Sequence, residues 1–74
     1  MRRNVLNIHV RELELPIRLA SMLWRKEINT LGVLVSYSEA ELIGFGRKLN
    51  IEQSRIKLIS SALANYGLKL RDDA

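Results

Sequence analysis

Seventy-four residues, 47% apolar and without cysteine, make a single small domain that no disulfide or thiolate-held metal can staple, so its core must suffice alone or borrow a partner. Twelve Lys and Arg against eight Asp and Glu leave a net charge of +4, which favours a polyanion among possible partners. No apolar run approaches the roughly 20 residues that span a bilayer, and the opening MRRNVLNIHV lacks the apolar core of a signal peptide, so a soluble, intracellular protein with no membrane partner is expected.

Residues 1–10 read as an arm or linker remnant in which Val5, Leu6, Ile8 and Val10 alternate weakly. Pro16 suits the first position of a helix, where its missing N–H costs nothing, and the run from Ile17 to about Lys26 continues without a breaker. Ile17, Leu19, Ala20, Met22, Leu23 and Trp24 cover most of that helix, and Trp24 reads as a core anchor. Arg18, Ser21 and Arg25, three and four apart, draw one narrow polar stripe along it. The stripe is either the solvated side or a cationic ridge offered to a partner.

Thr30 can cap a short helix from Leu31 to about Ser36, and Ser38 another, with Glu41 completing a capping box. Gly44 and Gly46 are expected to end that second segment. The last helix is expected to open at Asn50, whose amide oxygen can accept from the Gln53 N–H, and to run through Ile56, Ile59, Leu63 and Tyr66 until Gly67 stops it. Leu68 and Leu70 can fold back on the core, and residues 71–74 form a fraying tail. No strand pattern of useful length, repeat or low-complexity linker appears.

In its order and spacing, LELPIRLASMLWRKEINTLGVLVSYSEAELI followed by ANYGLKL resembles the C-terminal domain of the bacterial RNA polymerase alpha subunit. That domain has a Leu-Glu-Leu opening into an apolar-Arg helix start, an Ile-x-x-x-Gly-x-Leu-Val turn, a Ser/Thr-Glu-x-Glu-Leu-Leu helix and a closing Gly-Leu-x-Leu. The resemblance spans roughly Val10 to Leu70 and places the domain at 11–70. It implies an all-α, compact four-helix fold with a helix-hairpin-helix-like element that grips the minor groove of A/T-rich double-stranded DNA upstream of promoters. Arg18 falls on the arginine that such domains insert into the groove. Ser21 replaces an asparagine that contacts DNA and reaches less far, and Arg25 extends the stripe toward a phosphate. FGRK resembles the hairpin before the last helix, with Gly46 approaching the DNA backbone and Arg47 or Lys48 meeting a phosphate, against the plainer reading of a connecting turn. A few residues more than the family pattern separate it from Gly67, and Leu49 stands where a serine is expected. If Asn50 caps the last helix, then Gln53 and Ser54 lie near the DNA instead.

Glu12 and Glu14 lie where related domains present acids to sigma factor, although acids near a helix start need no partner. Ser38 to Glu41 matches a surface that some activators use, but the capping box accounts for both ends of it. The resemblance further implies the other polymerase subunits as partners and a cytoplasmic, nucleoid-associated location in a bacterium. Enzyme chemistry finds no footing: the single histidine, His9, lacks companions, no carboxylate pair or phosphate loop assembles, and neither cofactor nor metal is expected. The resemblance assigns nucleotidyl transfer to other subunits of the parent polymerase. Two alternatives stay open, a helix-hairpin-helix domain of a repair protein, which would show no A/T bias, and a small helical domain that binds only protein.

Overall fold

A computed structural model describes residues 4–72 of the protein. Among them are four α-helices and no strand: α1 is Ile17–Arg25, α2 Leu31–Leu34, α3 Glu39–Lys48 and α4 Gln53–Ala64, with 3-10 turns at Val5–Asn7 and Val10–Leu13 before them. The expected all-α, four-helix architecture is the observed one.

Leu19, Met22 and Leu23 form the inner face of α1 and are fully buried with Ile28, Leu31, Leu34, Leu42, Ile56, Ile59 and Leu63. Pro16 stands one place earlier than expected, at the cap, where its carbonyl accepts from the Ala20 N–H at 3.0 Å. The 3.6-residue period carries Trp24 back over Ile17 and away from that face. Trp24 is 72% exposed, so the expected core anchor is corrected to a surface residue.

Thr30 Oγ1 accepts from the Val33 N–H at 3.4 Å and starts the single turn of α2. The described part of the expected arm packs here: the Leu31 N–H donates to the Ile8 carbonyl and the Val10 N–H to the Asn29 carbonyl, each at 2.9 Å. Ser38 and Glu41 exchange both bonds of the capping box, at 2.9 and 3.2 Å, and begin α3.

The end of α3 departs from expectation. Gly44 and Gly46 do not stop it; both lie inside the helix, which runs on to Lys48. Asn50 does not open α4 either. Its backbone is left-handed, φ 59°, its N–H donates to the Arg47 carbonyl at 3.1 Å, and the Ile51 N–H reaches the Gly46 carbonyl at 2.7 Å. Those two bonds are a Schellman closure, in which asparagine is the usual substitute for glycine. α4 then begins at Gln53 with Glu52 in the cap position and no side chain bonded there.

The same closure ends α1 at Glu27 (φ 57°) and follows α4 at Gly67 (φ 72°), where glycine carries no Cβ penalty. In each case the next residue, Ile28, Ile51 or Leu68, turns back onto the core. Leu70 is buried. The Arg71 N–H donates to the Tyr37 carbonyl at 3.0 Å, and its guanidinium pairs with Glu41. The first three residues of the expected arm and the last two of the expected tail lie outside the described residues.

Candidate nucleic-acid interface

The outer sector of α1 carries Arg18, Ser21 and Arg25, all exposed. Ile17, 80% exposed, and Trp24 border the stripe on its apolar side. A groove of about 350 Å³ runs between this stripe and the α3–α4 hairpin, lined by Ile17, Arg18, Ser21, Arg25, Leu49 and Ile51. The hairpin reaches α1 because the Schellman closure folds the backbone back sharply at Asn50, seating Ile51 against the core and leaving Leu49 at the rim.

A second concavity of about 200 Å³ continues from the first, sharing Arg25 and Leu49 and adding Lys26, Phe45 and Lys48. Lys26 Nζ lies 4.4 Å from the centre of the Phe45 ring. That ring in turn meets Tyr37 edge-on, with centroids 5.7 Å apart. The aromatic pair thus holds one ammonium beside the basic stripe by attraction to the ring face. Among the described residues the single ion pair is Arg71 with Glu41. Among the described residues Arg18, Arg25, Arg47 and Lys48 thus make no ion pair, which leaves their charge available to an incoming anion.

The expected site residues divide into three groups. Arg18, Ser21 and Arg25 share the groove, and Lys48 joins through Arg25. Asn50, Gln53 and Ser54 are exposed on the hairpin and the first turn of α4, while Arg47 is exposed on the last turn of α3. Gly46 is corrected: it is buried, and its close approach is to α4, since a Cβ there would lie 2.9 Å from Ile56 Cδ1. FGRK is correspondingly helix, and Leu49 to Glu52 make the hairpin.

Glu12 and Glu14 are exposed on the Val10–Leu13 turn and just beyond it, and Glu14 is left-handed at φ 52°. Glu14 lines a separate, more apolar groove of about 320 Å³ with Val10, Leu15, Ala20 and Trp24. Ser21 lines this groove too, so it stands on the ridge between the two. His9 is spent locally, its Nδ1 accepting from the Arg11 N–H at 3.1 Å.

Sequence reasoning overlooked Lys26, Leu49 and Ile51. Lys26 directly follows Arg25 and carried a signal in the charge pattern; the other two depend on the closure at Asn50. Among the described residues no group of His, Asp or Glu is placed to hold a metal ion, and no helix is long and apolar enough to cross a membrane.

The sequence model of the family described as the C-terminal domain of the bacterial RNA polymerase alpha chain matches residues 1–53, which takes in α1, α2, α3 and the hairpin. The protein is also similar to the DNA-directed RNA polymerase subunit alpha of Syntrophus aciditrophicus (strain SB), with 46% identity over 68 residues. That similarity covers 88% of the present sequence and 18% of the relative, so it spans about a fifth of that protein's length.

Proposed function

Because the protein belongs to the family of C-terminal domains of bacterial RNA polymerase alpha subunits, a non-catalytic and transcription-associated group, we propose that it binds A/T-rich double-stranded DNA upstream of promoters through the minor groove. The observation that carries this reading is Arg18: exposed, free of any ion pair among the described residues, and set in one groove with Ser21, Arg25 and the hairpin. A narrow A-tract minor groove concentrates negative potential, and a guanidinium entering it gains electrostatically while reading groove width. Arg25 and Lys48 then meet the flanking phosphates, with Asn50, Gln53 and Ser54, exposed on the hairpin and the first turn of α4, as further polar contacts. Glu12 and Glu14 offer an acidic contact to sigma factor, and activators and the other polymerase subunits complete the partner set. Nucleotidyl transfer belongs to those other subunits, in the bacterial cytoplasm and at its nucleoid.

Trp24, the single tryptophan, borders the stripe and reports on binding without a label. Titration with A/T-rich and G/C-rich duplexes of equal length, followed by its fluorescence, should give tighter binding to the former. Arg18→Ala should cost about 1–3 kcal/mol of that affinity and leave thermal stability unchanged. Equal affinities for the two duplexes favour a backbone-gripping hairpin without A/T bias, and an Arg18→Ala variant that binds as well as its parent removes the groove reading.

A further inference from the structure

We infer that Glu52 acts as an electrostatic brake on the hairpin, holding the domain's affinity for DNA below what its basic surface would otherwise give. This rests on the reading of the α1 stripe and hairpin as the DNA-facing surface.

Three observations meet at this residue. Glu52 is the cap residue of α4, is exposed, and has no ion-pair partner among the described residues. It directly follows Ile51, which with Leu49 forms the wall of the groove facing Arg18, Ser21 and Arg25. No side chain bonds to the start of α4, so the first N–H groups of that helix are open to whatever anion comes near. A helix start of that kind attracts phosphate through its partial positive charge, and a carboxylate held beside it answers the same charge first. Glu52 thus does two opposed things: it supports the beginning of α4, and it repels the DNA backbone that the basic stripe draws in.

The test compares wild type with Glu52→Gln, which removes the charge at nearly constant shape, and Glu52→Asp, which keeps the charge. All three proteins are titrated with one A/T-rich duplex over a salt series, with Arg18→Ala as a parallel arm. Glu52→Gln should bind about three- to tenfold tighter at low salt, the effect of deleting one like charge close to phosphates at a partly screened surface. The gain should shrink as salt rises, and Glu52→Asp should bind like wild type. A helix-propping role alone would weaken binding or melting in the Gln variant and would carry no salt signature. Unchanged or weaker binding by a folded Glu52→Gln variant overturns the brake. If Arg18→Ala loses affinity in that same series, the stripe reading stands without it; an unaffected Arg18→Ala variant sinks the stripe reading instead.

Discussion

Two glycines in one helix show how far a residue's neighbours decide its worth. Gly44 sits in α3 with nothing beyond its own helix backbone and chain neighbours within 4 Å of where a Cβ would be. Its only effect on stability is the entropy it costs a helix interior, so Gly44→Ala should raise stability by about 0.5–1 kcal/mol. Gly46, two residues on, is pressed against Ile56 at 2.9 Å and Ile51 at 3.5 Å from that same virtual atom. Its missing side chain is the space that lets α4 cross α3, and Gly46→Val should cost about 1–3 kcal/mol through overpacking. Urea melts of the two variants, read by circular dichroism, check both signs. A destabilised Gly44→Ala variant would mean that α3 ends earlier than Lys48.

At the level of the elements, what was legible in the sequence is what local chemistry controls. Thr30 and Ser38 announce α2 and α3 because a hydroxyl three residues before a free N–H is sufficient reason for a helix to start. Ser38→Ala should therefore cost about 1 kcal/mol in the same melts, through loss of the bond its hydroxyl accepts from the Glu41 N–H, while the bond its backbone N–H donates to Glu41 stays available. The end of α3 was not legible. Asn50 suits a helix start and a left-handed stop equally, and its neighbour decides between them: ending α3 there buries Ile51, which is only 5% exposed. α3 therefore runs to Lys48, and only Leu49 to Glu52 separate it from α4. Gly46 misleads in the same way, since its reason for being glycine lies ten residues away at Ile56. The candidate site followed this division. Arg18, Ser21 and Arg25 share a face by helix period alone, whereas Leu49 and Ile51 join them through a turn that only tertiary packing selects. Trp24 failed for a third reason: residue type pointed inward and angular position pointed outward, and on a helix whose core face is already filled by Leu19, Met22 and Leu23, position prevailed.

For the whole molecule the question is how many charges act together. A net +4 spread evenly would steer anions weakly, but Arg18, Arg25, Lys26 and Lys48 line two adjoining concavities, with Arg47 exposed on the same last turn of α3 as Lys48. If this surface neutralises roughly three to five phosphates, log K for duplex DNA should fall with log salt at a slope of about −3 to −4.5. The slope and the base composition answer different questions, and only together do they separate the readings. A domain that grips backbone alone gives the slope without preferring A/T-rich duplexes; one that inserts Arg18 gives the slope and the preference, and loses about one unit of the first and most of the second in Arg18→Ala. A domain that binds only protein gives neither. Salt titrations on two duplexes, with wild type and Arg18→Ala, therefore place the molecule among the three, and a flat salt response from the wild-type protein would remove DNA as its partner.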